Sequence, residues 1–300
     1  MLSIRSRLCR VLTKLLVAPK FDPNIPIEKA RKGMEDLTKF AHLPSNTKVE
    51  QVIIDGIAAE WVYGNSAKED KVVLYLHGGG YNMCSPNTHR ELAAHISNYS
   101  GARVLVPDYR LAPEHPFPCG LEDATSAYRW LLGRGFSGEN IAIAGDSAGG
   151  GLSIATAILL RDTGDPPPAS IACISPWTDL ALTGDSIKTN SKVDPMLNVE
   201  SLKAKADNYA GNADPRSPLI SPLYANLSGL SPLLIHVGSD ELLFQDSVRI
   251  AKKAENAGVS VSLKIYDHLW HVFHLNAKLM PEAKSALADF GSFITKHFGN

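Results

Sequence analysis

The feature that most constrains this chain is an alternation of short apolar runs with stretches of helical periodicity. Lys71–Leu76, Arg103–Val106, Ile141–Ala144, Ile171–Ile174 and Leu233–Val237 are mostly apolar and four to six residues long. Near-continuous apolarity in so short a run means a strand buried on both faces, as in a parallel sheet with helices on either side. Helix candidates at about 86–98, 120–133, 148–162, 199–209, 246–257 and 282–297 fill the intervals. The fifth starts at Asp246-Ser247 and stops at Gly258, with cap residues at each end. Val49–Ile54 and Ala58–Tyr63, joined through Asp55-Gly56, predict a leading β-hairpin. Val259, Val261, Leu263 and Ile265 alternate with polar or amphipathic residues, the pattern of a half-buried strand at a sheet edge. Eight strands are expected in all, and 300 residues suit one large α/β domain with insertions.

Charge and cysteine usage remove several classes of function. A net charge of -1 offers no basic face to displace the counterions of a nucleic acid. Cys9, Cys84, Cys119 and Cys173 are irregularly spaced and include no C-x-x-C, which predicts free thiols in a reducing compartment. At the N-terminus Ile4, Leu8, Val11, Leu12 and Leu15 fall on one helical face, and Arg5, Arg7, Arg10 and Lys14 interrupt the rest. Lys14 breaks the apolar run that a secretory signal needs, and Val17-Ala18-Pro19 is a poor cleavage site. The stretch is too short and too charged to span a bilayer. It is expected to be a helix packed on the folded body of a cytoplasmic protein. Surface membrane contact and an organellar transit peptide are the competing readings.

Two motifs carry chemistry. Gly145-Asp146-Ser147-Ala148-Gly149 lies between a strand and a helix, so Ser147 sits on the turn with its hydroxyl pushed outward. The following helix points its N-terminus at the same place, which favours developing negative charge. The bland alternative is a Gly-rich turn in which Ser147 merely caps a helix. His77-Gly78-Gly79-Gly80 directly follows the strand ending at Leu76. Three glycines leave backbone N–H groups open to a substrate oxygen, as the tetrahedral oxyanion of acyl transfer requires. A phosphate loop is the rival, but neither G-x-x-x-x-G-K-[ST] nor G-x-G-x-x-G follows the strand.

Together with Tyr109-Arg110-Leu111-Ala112-Pro113-Glu114, Phe117-Pro118, Glu122-Asp123-Ala124, Ser175-Pro176-Trp177-Thr178-Asp179 and Ser221-Pro222-Leu223, these motifs resemble the hormone-sensitive-lipase-like esterases, or bacterial family IV. The resemblance spans about residues 50–297. It implies an α/β-hydrolase fold, with an eight-stranded, mostly parallel sheet flanked by helices and a helical cap. It also implies cleavage of short-to-medium acyl carboxylic esters without metal or organic cofactor. The cap is expected from about 1–40 and 181–210, part of a polar, Pro- and Asn-rich stretch that breaks the alternation. By the same resemblance the oxyanion donors are the backbone N–H groups of Gly79, Gly80 and Ala148, with His77 and Gly78 shaping the loop. Arg110, Glu114 and Asp123 hold that loop. Cys84 stands where relatives usually carry glycine. The last edge strand pairs subunits in relatives, so a homodimer is expected to be open to this chain.

A serine nucleophile needs a base and an acid to orient it, here in chain order Ser, Asp/Glu, His. His268, His271 and His274 cluster after the last strand. Their spacing lacks the i, i+4 pair and intervening glutamate of a helical zinc site, so no metal is expected. His271-Val272-Phe273 resembles the family's H-x-F, which makes His271 the base and leaves His268 and His274 as loop or helix-start residues. The acid is a choice between neighbours. The first carboxylate after strand Leu233–Val237 is Asp240, whereas setting the last position of the D-P-x-x-D-x-[GS] pattern of similar family members on Ser247, at the next helix start, implies Glu241; the helix anchor favours Glu241. Two other classes stay open: a membrane-associated lipid hydrolase or deacetylase, and a non-catalytic ligand receptor on the same fold. The intact His271 and acid count against the receptor.

Overall fold

A computed structural model describes residues 2–299. The hairpin forms from β1 (Lys48–Ile54) and β2 (Ile57–Tyr63), whose turn residues Asp55 and Gly56 both have positive φ, 50° and 92°. That is the mirror-image turn that matches the strands' right-handed twist. The apolar runs become β3 (Lys68–Leu76), β4 (Ala102–Pro107), β5 (Ile141–Asp146), β6 (Ser170–Ile174) and β7 (Leu233–Gly238). With β8 (Val261–Tyr266) they form one eight-stranded sheet in the order β1-β2-β4-β3-β5-β6-β7-β8. The pairs β1–β2 and β2–β4 are antiparallel and the others parallel. β8 pairs only with β7, and its Lys264 and Ile265 are exposed, as expected for an edge.

The helices are α1 (Ile4–Leu12), α2 (Ile27–Leu37), α3 (Pro86–Ser100), α4 (Cys119–Gly133), α5 (Ala148–Thr163), α6 (Ser186–Thr189), α7 (Val199–Ala210), α8 (Phe244–Asn256) and α9 (Pro281–His297). On one face of the sheet α3 and α9 bury Leu92, Ile96, Leu287 and Phe290 against Val73, Tyr75, Val104 and Ile174. On the other, α4 and α5 pack on Val72, Leu74, Ile141 and Ile143, while α8 covers Ile171 and Ile235. Neighbouring strand residues thus enter opposite cores, which is why the runs are apolar without a break. All four cysteines are unpaired.

Two expectations are corrected. α8 begins at Phe244, two residues before Asp246-Ser247, so that pair lies inside the helix rather than capping it. Both residues are fully buried, and Asp246 Oδ2 accepts the backbone N–H groups of Thr178 and Asp179 at 2.9 and 2.8 Å. A tertiary demand therefore uses a carboxylate that looks locally like a cap. α1 does touch the folded body, but through the face opposite its apolar stripe. Ser6, Cys9 and Thr13 are buried, whereas Ile4, Leu8, Val11 and Leu15 face solvent.

Candidate active site

The functional side chains converge at the C-terminal ends of β3, β5, β6, β7 and β8. Ser147 occupies the turn between β5 and α5 with φ 51° and ψ -121°, a left-handed backbone that a non-glycine residue adopts only under constraint. The constraint is visible at Gly149. A Cβ there would lie 2.0 Å from the Leu76 carbonyl oxygen and 2.5 Å from that of His77, so the start of α5 presses directly on the end of β3. Only hydrogen fits at that contact, which explains the last glycine of the pentapeptide.

The same close approach sets Ser147 beside the loop after β3. Gly79 has φ 114°, and a Cβ on it would meet the Met83 carbonyl oxygen at 2.1 Å. Among the described residues the backbone N–H groups of Gly79, Gly80 and Ala148 donate to no protein acceptor. His77 is fully buried, stacks on Tyr109 with ring centroids 4.4 Å apart, and bonds its neighbour's carbonyl through Nδ1 at 2.8 Å. Burial pushes its pKa down to about 3, so it is a neutral structural ring at any ordinary pH.

Ser147 Oγ lies 2.9 Å from His271 Nε2, and His271 Nδ1 lies 2.7 Å from Glu241 Oε2. Glu241 is completely buried, and its other oxygen accepts the Gly238 N–H at 2.6 Å and the Ser175 hydroxyl at 2.9 Å. Asp240, one residue earlier, turns the other way: its carboxylate pairs with Arg10 of α1 at 2.9 Å. Burial alone would push His271 down, but the Glu241 carboxylate outweighs it, with Asp194 and Asp146 adding, so its pKa lies above the ordinary histidine value. His268 is an exposed loop residue, and His274 is buried in the short helix after His271, 3.3 Å from His236.

Several contributors were not singled out by sequence reasoning. Asp146, the first of the pentapeptide's two variable residues, accepts the Tyr75 hydroxyl at 2.7 Å and the Gly78 N–H at 3.0 Å, tying the glycine loop to the serine turn. Ser175 entered only as part of a motif, yet it bridges Glu241 and the Val272 N–H, bonding the latter at 3.2 Å. Asn190 donates to the carbonyls of Ser239 and Glu241, and Asp194 accepts the Leu242 N–H, so the inserted segment clamps the acid's turn. No local pattern marks Asn190 or Asp194. Lys205 of α7 lies against Gly80, where its Cδ would be 2.4 Å from an added Cβ, and its ammonium is 5.4 Å from the Phe21 ring centre. Burial pulls its pKa down to about 8. The expected bracing of the loop takes the form of an Arg110–Asp123 pair at 2.6 Å and an Arg31–Glu114 pair at 2.7 Å.

Above Ser147 is a narrow, mostly apolar cavity of about 30 Å³, walled by Phe21, Met34, Cys84, Met196, Val272 and Leu275.

Known proteins are similar to this chain over nearly its whole length. The pattern defining the α/β-hydrolase fold matches residues 73–275. The crystal structure of an esterase from the bacterial hormone-sensitive lipase family superposes with a TM-score of 0.95 at 41% identity, covering 99% of each chain. EstE5, in a crystal soaked with p-nitrophenyl butyrate, gives 0.94 at 44% identity and the same coverage. An acetyl-hydrolase of Streptomyces hygroscopicus is 42% identical over 81% of each chain. An esterase of Acinetobacter venetianus is 33% identical over 95% of this chain and 94% of its own. The chain belongs to the α/β-hydrolase-fold family, among the esterases of the bacterial hormone-sensitive-lipase group, and is a carboxylic ester hydrolase.

Proposed function

We propose that the protein hydrolyses short-to-medium acyl carboxylic esters through an acyl-enzyme, with Ser147 as nucleophile, His271 as general base and Glu241 as orienting acid. The observation that carries this reading is the unbroken line Ser147 Oγ–His271–Glu241, at 2.9 and 2.7 Å, beside three backbone donors without a protein acceptor among the described residues. His271 Nε2 takes the serine proton as Oγ attacks the ester carbonyl, and the oxyanion lies on the N–H groups of Gly79, Gly80 and Ala148. Collapse of the adduct breaks the bond to the alkoxide, which leaves with the proton from His271. Water then attacks the acyl-enzyme, His271 accepting its proton and returning it to Ser147 as the acid departs. Glu241 holds the imidazole in the tautomer with its proton on Nδ1 and stabilises the imidazolium.

The acyl range is supported by the small cavity, by the acetyl-hydrolase relative and by the butyrate ester soaked into the EstE5 crystal. Phe21, Met34 and Met196 in the cavity wall support segments 1–40 and 181–210 as the cap that sets this range. Ser147→Ala should lower turnover of a short p-nitrophenyl ester by at least ~10³-fold with the folded state unchanged by circular dichroism. Full activity in that variant would remove Ser147 from the reaction.

A further inference from the structure

α1 turns its apolar face away from the protein. Ile4, Leu8 and Leu15 are 85%, 57% and 64% exposed, and Val11, Leu12 and Leu16 are also exposed. At i, i+4, i+7 and i+11, Ile4, Leu8, Val11 and Leu15 form one continuous stripe. Polar tethers hold the helix in this orientation. The Ser3 N–H and hydroxyl donate to Glu282 at 2.9 and 3.1 Å. Arg10 reaches Asp240, the His268 carbonyl and the Val193 carbonyl.

The charges that the segment itself carries are all of one sign. Residues 1–21 hold Arg5, Arg7, Arg10, Lys14 and Lys20 and no acidic residue. Arg10 is engaged with Asp240, but Arg5, Arg7 and Lys14 are exposed and form no ion pair among the described residues. Arg7 and Lys14 border the stripe on one side and Arg5 on the other, as in a helix that lies flat in a lipid interface. We propose that α1 is an in-plane docking helix for an anionic lipid bilayer.

The run from Ile4 to Val17 extends only about 20 Å at ~1.5 Å per residue, short of a hydrocarbon core of ~30 Å, so it lies on the membrane rather than across it. A second copy is the poorer occupant. Pairing two stripes would bring Arg5, Arg7 and Lys14 of both copies together with no acid in the segment to oppose them. The apolar surface also leads toward the reaction site: Val193, held beside α1 by Arg10, is 44% exposed, and Leu275, in the cavity wall, is 40% exposed. The chain leaving α1 supplies Phe21 and Met34 to that wall. Docking therefore brings the cavity close to the lipid surface, and it stands apart from the proposed Ser147 chemistry.

Flotation of the full-length protein with phosphatidylcholine vesicles, with or without 30% phosphatidylglycerol, tests the proposal. Binding to the anionic vesicles, reduced at least tenfold by 0.5 M NaCl, is expected. Leu8→Ser/Val11→Ser/Leu15→Ser and, separately, Arg5→Glu/Arg7→Glu/Lys14→Glu should each cut binding tenfold or more. The serine variant should retain the wild-type melting temperature. Ser147→Ala should bind like wild type, so loss of the catalytic reading leaves this one standing. Absence of vesicle binding by wild type, equal binding to both vesicles, or self-association abolished by the serine variant in place of lipid binding would each overturn it.

Discussion

Two strand-end turns build the site by different means. The turn from β5 into α5 is fixed by the backbone: Gly149 touches the carbonyls of Leu76 and His77, and Ser147 is forced to positive φ. The turn from β7 into α8 is fixed by side chains. Its adjacent carboxylates part, Glu241 into a buried hydrogen-bond network and Asp240 outward to Arg10. The first arrangement tolerates almost no change of residue type at its contacts. The second tolerates either carboxylate in sequence and discriminates only through what surrounds each one.

The sharpest way to break that comparison is to neutralise the two carboxylates separately. Glu241→Gln should lower kcat/KM by roughly 10²–10⁴-fold, because an amide at this position no longer enforces the tautomer and cannot stabilise the imidazolium. Asp240→Asn removes only a partly exposed ion pair remote from His271, worth up to about 1 kcal/mol, so kcat/KM should change little. Steady-state kinetics on one short ester measure both. Comparable losses in the two variants would mean that the turn does not separate them.

The backbone-built turn is tested by Gly149→Ala. Its Cβ meets the backbone carbonyl oxygens of Leu76, the last residue of β3, and of His77 directly after it, which cannot swing aside. A destabilisation of about 3 kcal/mol or more is expected, lowering the melting temperature by roughly 6–12 °C. Ser147→Ala, on the same turn, should leave the melting temperature close to wild type, because it removes one oxygen and adds no contact. Scanning calorimetry of the pair separates steric from chemical need at positions two residues apart.

This contrast also explains what was legible in the sequence. The sheet could be read because every buried strand needs both faces apolar, and the glycine loop and serine turn because close backbone contact restricts residue type at fixed spacing. The turn after β7 offered two adjacent carboxylates, and only the count back from Ser247 favoured Glu241. Their surroundings come from Ser175, Asn190, Asp194 and Arg10, between 47 and 231 residues distant from Glu241 in the chain. α8 misled for the same reason, since Asp246 looks like a cap until Thr178 and Asp179 are seen to need its carboxylate. For α1 the periodicity was legible but not its orientation, which depends on Glu282 and Asp240.

A smaller effect sharpens the electrostatic half of the comparison. His271 must be neutral to accept the serine proton, so kcat/KM should rise with pH through a pKa above the ordinary histidine value. Burial opposes that shift and Glu241 supplies most of it. Glu241→Gln should therefore move the acidic limb to lower pH even as the plateau falls. A limb that stays in place would mean that Glu241 does not set the protonation of His271.

The smallest effect is expected at Cys84, where the two modes of construction meet. Its backbone is left-handed, φ 73°, and its buried thiol, pushed up to about 12 by burial, lines the cavity over Ser147. Cys84→Gly would remove the ~1–2 kcal/mol cost of a Cβ in that conformation and forfeit the burial of one small side chain, typically about 1 kcal/mol. Stability should thus change by no more than about 1 kcal/mol. The cavity gains the space of a thiol, so an acyl-chain-length profile should shift by one or two methylenes toward longer esters, while activity on the acetyl ester stays within about threefold, ~0.6 kcal/mol in the barrier. An unchanged profile would mean that Met34 and Met196, not Cys84, limit the acyl chain. A collapse of activity on every ester would mean that the thiol supports the Gly79 loop, which a Cβ at Gly79 would approach to 3.0 Å through Cys84 Cβ.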